Sequence, residues 1–230
     1  MNVITGIVES PRKDGRFVLQ VEGKPFATVS LDILERLRLA VGVDVSPELG
    51  EKIEQEAAAL AAYDRALNML AFQARSAREL RRRLVQKGEE PAQVDAAIER
   101  LVANGLLDDA NYARQFARSR VAGQGASKRR LQQDLFKRGV GREVADEAIA
   151  EVLADEGVDE SEIVERVARK KARSLAKLDA PTRRRRLYSF LARRGYEADA
   201  IRRAMAAVLD RTDVADLDDE FAAADGAGED

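Results

Sequence analysis

The 230-residue chain contains no cysteine and no histidine. The first absence rules out disulfides and gives no sign of an oxidising compartment. Together the two remove most zinc sites, thiol and Ser–His nucleophile systems, and the commonest general base at neutral pH. Carboxylate or lysine chemistry stays open. Tryptophan is absent too, and aromatics make up only 5% of the chain. No stretch approaches the 18 or so apolar residues that a membrane helix needs. Met1 to Ser10 lacks the charged-then-apolar layout of a secretory signal. The expectation is a soluble cytoplasmic protein with no membrane contact, no cofactor and no metal.

What is present favours helix. Hydrophobic residues make up 45% of the chain, enough for a core, and charged residues 35%, above the usual quarter. Ala, Leu, Arg and Glu dominate. The net charge of −2 conceals a segregation. Residues 1–60 carry 7 basic and 10 acidic side chains, residues 61–209 carry 31 and 22, and residues 210–230 carry 1 and 9. A basic body between acidic ends points to an anionic partner, or else to a solvated Arg-rich surface.

The first 45 residues read differently from the rest. Val3–Glu9, Gly15–Glu22 and Lys24–Ser30 read as short strands, rich in Val, Ile, Phe and Thr and punctuated by turn residues. Phe17, Leu19 and Val21 alternate as a half-buried strand should. Ser30 suits an N-cap for a short helix over Leu31–Leu39. Ser46-Pro47 then opens a long helix to about Gln73, with Pro at its first position and Tyr63, Leu67 and Leu70 on one face.

From there the chain repeats. Aligned on Gly88, Gly139 and Gly195, leucine stands eight residues before each glycine (Leu80, Leu131, Leu187) and four before (Leu84, Leu135, Leu191). Nine, ten, thirteen and fourteen after come Ala97, Ile98, Leu101 and Val102, with Ala148, Ile149, Val152 and Leu153, then Ala204, Met205, Val208 and Leu209. The leucine pair is the core face of a middle helix, the glycine its left-handed stop, and the later positions the face of a third helix. A first helix precedes each pair, at about Leu60–Gln73, Asn111–Val121 and Ser161–Lys177. One such unit has a thin core, which stacked copies deepen. The fold class is therefore mainly α: three tandem three-helix repeats after a small β-containing module. The expected segments are 1–46, 47–108, 109–158, 159–210 and a disordered acidic tail over 211–230.

The join between repeats one and two reads GLLDDANYARQFARSR over residues 105–120. Gly105 ends a helix, Leu106 and Leu107 plug the core, and Asp108 or Asp109 caps the next helix and suits its dipole. Tyr112 and Phe116 pack inward, and Phe136, Tyr188 and Phe190 are likewise spaced as core residues rather than as a base-stacking platform. Two adjacent aspartates could also bind a metal, but the sequence offers no further ligand beside them.

Together with Arg75, Ser76, Glu79 and Leu80 in the helix before Gly88, this stretch closely resembles the RecX family over about residues 60–209. The third repeat departs most, with Arg183 where Ser76 and Ser127 stand. The resemblance implies three tandem three-helix repeats and no catalytic residue. It implies a partner, the RecA recombinase filament, whose extension, strand exchange and ATPase such proteins limit. DNA repair, recombination and the SOS response follow from it.

Arginine stands ten residues before each aligned glycine, at Arg78, Arg129 and Arg185. At 100° per residue each lies roughly 160° from the first leucine and points outward. Arg81 and Arg82, Lys128 and Arg130, and Arg183, Arg184 and Arg186 cluster round them. Such a basic stripe suits an acidic filament groove or DNA phosphates, with salt-sensitive and weak contact to single- or double-stranded DNA. The alternative is a solvated face with pairs such as Glu79–Arg83. Lys87, Arg138 and Arg194, just before each glycine, suit the carbonyls of a helix end. A monomer is expected. A stand-alone helical DNA-binding module is the competing function; an enzyme would have only Asp108 and Asp109 to work with.

Overall fold

A computed structural model of the chain describes residues 2–155, 157 and 159–209. The expected acidic tail over 211–230 lies outside them. The chain divides into two compact units, Met1–Asp108 and Asp109–Asp230.

The first unit opens with a three-stranded antiparallel sheet in the order β1 (Ile4–Glu9), β2 (Arg16–Val21), β3 (Lys24–Ser30). Leu19 and Val29 are fully buried under α1 (Leu31–Arg36) and α2 (Pro47–Phe72), with Ile4, Ile33 and Ile53. Ser30 caps α1, its Oγ accepting from the Ile33 N–H at 3.4 Å. The helix stops three residues short of the expected Leu39. Arg38 takes the left-handed conformation (φ 52°), and Leu39 N–H closes onto the Leu34 carbonyl at 2.8 Å. Glycine usually makes that stop, so an arginine in its place left no local signal for it.

Helix α2 serves two cores. Its first half buries Ile53 and Leu60 against the sheet. Its second half buries Ala62, Tyr63 and Ala66 against α3 (Ala77–Gln86) and α4 (Pro91–Ala103). Asp64, at the junction, is clasped by Arg16 (Nη2–Oδ1 2.6 Å) and Lys13 (Nζ–Oδ2 2.8 Å). Burial pushes the Asp64 carboxyl up, but hydrogen bonds from Arg16 and Lys13, with their charges, outweigh it and hold the carboxyl below its ordinary value. A carboxylate with a lowered folded-state pKa contributes stability that is lost as the pH falls below about 4. Urea unfolding should therefore weaken more steeply over that range in the wild type than in Asp64→Asn. Equal slopes would exclude this clasp as a source of acid sensitivity.

The second unit is built from α5 (Asp109–Gln124), α6 (Lys128–Lys137), α7 (Arg142–Asp155), α8 (Glu160–Ser174), α9 (Ala180–Arg193) and α10 (Ala198–Val208). These helices share one core, which includes Ala117, Leu131, Leu135, Ile149, Ile163, Leu187, Leu191 and Met205. Ala113 and Ala117 let α5 lie close to α7, and Tyr112 and Phe116 pack against the same core with their rings 6.4 Å apart. Gly125 has φ +55°, and a Cβ there would stand 2.2 Å from Val167 Cγ2. Glycine is thus what lets the end of α5 meet α8. Its carbonyl accepts the buried Tyr196 hydroxyl at 2.7 Å.

Two residues expected in the core are not buried there. Leu107 is buried, but Leu106 is 53% exposed. Phe136 is 69% exposed, because α6 turns Leu131 and Leu135 inward and Phe136 follows Leu135 by 100°. No helix among the described residues is long and apolar enough to cross a membrane.

Candidate functional site

The glycine alignment marks real structural equivalents. Gly88, Gly139 and Gly195 have φ of +89°, +85° and +86°, each one residue past the caps Lys87, Arg138 and Arg194. At the first two, paired bonds close the helix: Gly88 to Val85 and Glu89 to Leu84, then Gly139 to Phe136 and Val140 to Leu135.

The middle helices of the first two repeats start from serine caps. Ser76 accepts from the Glu79 N–H at 3.1 Å and Ser127 from the Arg130 N–H at 3.1 Å. In α3 the motif goes further. Glu79 receives Arg75 Nη1 at 2.9 Å and Arg83 Nε at 3.0 Å, while a second Arg75 nitrogen reaches Gln73 at 3.2 Å. Arg75 and Glu79 are both buried, so this pair is part of the interior. It fixes the start of the helix that carries Arg78 and Arg82.

Helix α9 differs. It starts at Asp179, whose side chain accepts from the Thr182 N–H at 3.0 Å, and is 14 residues long against 10 in α3 and α6. The extra turn places Arg183 inside the helix rather than at its cap. It also corrects the expected stripe. Arg184 precedes Leu187 by three and Leu191 by seven, so it shares their inward face and is only 5% exposed. Arg183 is half-buried. Neither belongs to an exposed stripe.

The remaining cations sort by partner. Arg81 grips Asp95 through two bonds of 2.5 and 3.0 Å, which hold the Asp95 carboxyl below its ordinary value. Arg130 meets Asp134 at 3.1 Å. Arg78, Arg82, Lys128, Arg129, Arg185 and Arg186 are exposed and have no ion pair among the described residues. Lys128 and Arg129 open onto a cleft also lined by Asp159, Glu160 and Glu197, so positive charge there is offset. The N-terminus of α6 meets the C-terminus of α9, where Ser127 Oγ donates to the Arg194 carbonyl at 3.0 Å. Arg185 stands nine residues up α9 from Arg194, roughly 13 Å along the axis. Arg129 therefore lies by the C-terminal end of α9 and Arg185 in its first half, not side by side.

Two of the cations before the glycines do more than end a helix. Arg138 lies 4.8 Å from the Phe116 ring, and Arg194 lies 4.5 Å from the Phe190 ring. The glycine spacing that located these cations carried no signal for their rings. Asp109 is the first residue of α5, where its charge suits the helix dipole. Among the described residues no group of three or more acidic side chains could hold a metal ion.

Comparison with known proteins gives one answer. The first three-helix domain of RecX matches residues 62–101, the second 108–149 and the third 159–205. Regulatory protein RecX of Halorhodospira halophila is 39% identical over 172 residues, covering 73% of this chain and 96% of its own length. Regulatory protein RecX of Levilactobacillus brevis is 30% identical over 223 residues, or 96% of this chain and 81% of its own length. A crystal structure of regulatory protein RecX shares the fold at 20% identity, with a TM-score of 0.72 over 87% of this chain and 97% of that one. The structure of RecX from Lactobacillus salivarius gives 0.56 over 66% and 96%. The chain belongs to the RecX family of regulatory proteins.

Proposed function

We propose that the chain regulates the RecA recombinase by binding its filament on DNA and limiting filament extension, strand exchange and ATP hydrolysis. The observation that carries this reading, in a member of this family, is the outward arginine at one position of each middle helix: Arg78, Arg129 and Arg185. None has an ion pair among the described residues; Arg78 and Arg185 are available to an acidic partner, and Arg129 shares its cleft with three carboxylates. The protein acts as a cytoplasmic monomer, without cofactor or catalytic step. Its working segments are the module at 1–46 and the repeats at 47–108, 109–158 and 159–210. Several weak contacts along a filament add up through effective concentration rather than through one deep pocket. Filament length, recombination and the SOS response are then its outputs.

The test is direct binding of the labelled chain to RecA assembled on single-stranded DNA. Saturable binding that weakens as salt is raised is expected; no binding at low salt contradicts the reading. The acidic residues 213–230 would compete with the partner's charge. Their deletion should raise affinity at low salt, and unchanged affinity would exclude an interaction between tail and body.

The same unpaired arginines favour a second reading, a stand-alone helical DNA-binding module. That reading requires tight, salt-sensitive DNA binding by the chain alone and no effect on RecA.

A further inference from the structure

We infer that the cleft between the ends of α5, α8 and α9 is a binding site for the phosphates of a nucleic-acid strand. It is an open cavity of about 390 Å³ within the second unit. Four cations line it, Arg166, Lys170 and Lys171 from α8 and Arg194 from the end of α9, and no lining residue is acidic. None of the four has an ion pair among the described residues. Their neighbours do: Arg169 meets Glu165, Arg118 meets Asp155 at 3.1 Å, and Arg114 meets Glu151 at 3.3 Å.

The simplest structural role for these cations is to face helix ends. The C-terminal ends of α5, α8 and α9 all border the cleft. Each contributes roughly −0.5 of an elementary charge, so three offset about −1.5 and leave the cleft near +2.5. Arg166, moreover, stands two turns before the end of α8, beyond the reach of its dipole. Arg166 and Lys170 are an i, i+4 pair of like charge, which is unfavourable unless an anion lies between them.

The geometry favours a strand over a lone anion. Lys171 and Arg194 lie over the Phe190 ring at 5.2 and 4.5 Å, which holds their head groups in place. Arg166 and Lys170 are about 6 Å apart along the helix axis, on the scale of successive phosphates in one strand. The bordering helix ends present carbonyls, not the N–H groups that would hold a single phosphate closely. Contacts at the edge of a polyanion need no such cradle, because they gain from released counterions. Gly125 shapes this floor, since any side chain there collides with Val167.

The site goes beyond the recombinase reading and does not depend on it, so its test uses the full chain without RecA. Binding of a fluorescent oligothymidylate is followed by anisotropy across a salt series, for the wild type and for Arg166→Gln/Lys170→Gln. Neither replaced side chain is in the core, and circular dichroism checks that helicity is kept. The double variant should bind about tenfold more weakly. Its log–log salt slope should be shallower by about 1.4, at about 0.7 for each phosphate no longer neutralised. Unchanged affinity and slope, or no oligonucleotide binding by the wild type at low salt, would overturn the assignment. A peptide of residues 210–230 is the competing arm. If it binds more tightly than the oligonucleotide and loses affinity in the same variant, the cleft takes acidic protein and the assignment fails. Inhibition of RecA by the wild type stands or falls separately.

Discussion

Replacing Glu79 by Ala should destabilise the chain by about 3 kcal/mol, the low end for breaking a buried ion pair from one side. Glu79 and Arg75 are 9% and 8% exposed as side chains, and the pair sits at 2.9 Å. Once Glu79 is gone, the Arg75 guanidinium remains in the interior with no carboxylate beside it, held by Gln73 alone, and Arg83 loses its carboxylate too. The charge has to be hydrated by opening the start of α3, or left buried. Removing both charges has a different outcome. Arg75→Met with Glu79→Leu roughly keeps volume, leaves no buried ion and should cost far less than Glu79→Ala alone. Chemical unfolding of the three proteins checks this. A double variant at least as unstable as the single one would mean that the pair is not the source of the effect. Ser76, which caps the helix, is untouched, and even a lost cap would account for no more than about 2 kcal/mol.

The second large effect separates Gly88 from Gly195, which look alike in sequence. Gly88→Ala meets no close neighbour, so it costs only the left-handed backbone, about 1–2 kcal/mol. Gly195→Ala meets more. Its Cβ would stand 2.7 Å from Ser127 Oγ, 3.0 Å from Arg130 Cβ and 3.2 Å from the Arg130 nitrogen. Those atoms form the cap of α6, so the substitution pushes apart the contact between α6 and α9. An additional cost of about 1–3 kcal/mol is expected, as for an overpacked core. Thermal denaturation should rank Gly195→Ala clearly below Gly88→Ala, and equal midpoints would refute the close approach.

The three aligned glycines also mark how far the fold was legible in the chain. The repeat, its glycine stops and its leucine faces follow from local chemistry: a left-handed stop, an i, i+4 pair and a cap are each written in nearby residues. The small sheet was readable for the same reason. What Gly195 touches was not, because Ser127 is far from it in sequence and the contact exists only once α6 and α9 meet. The role of α2 was hidden similarly. Leu60 and Ala62 belong to one uninterrupted helix, yet they enter two different cores.

The candidate site was legible only in part. Arg78, Arg129 and Arg185 stay out of the core, as their angle from the buried leucines requires. Arg184 turns inward because Asp179 starts α9 a turn early, a choice that aligning Arg183 with the serine caps obscured. The cations of the cleft went unnoticed because they come from the middle of α8 onward and from the end of α9. No periodicity joins Arg166 to Arg194; the packing of two helices around Gly125 does. The pairing of Arg81 with Asp95 likewise joins two helices, which takes Arg81 out of the set of free charges.

The proposed regulation of RecA through the outward arginines is tested by RecA's ATP hydrolysis on single-stranded DNA, with the chain titrated below one copy per RecA protomer. Inhibition by the wild type is the predicted result. Arg78→Ala/Arg129→Ala/Arg185→Ala, with helicity unchanged, should need about ten times more protein for the same inhibition. That factor follows from three exposed charge contacts of about 0.5 kcal/mol each. No inhibition by the wild type at stoichiometric levels, or equal inhibition by the triple variant, would contradict it.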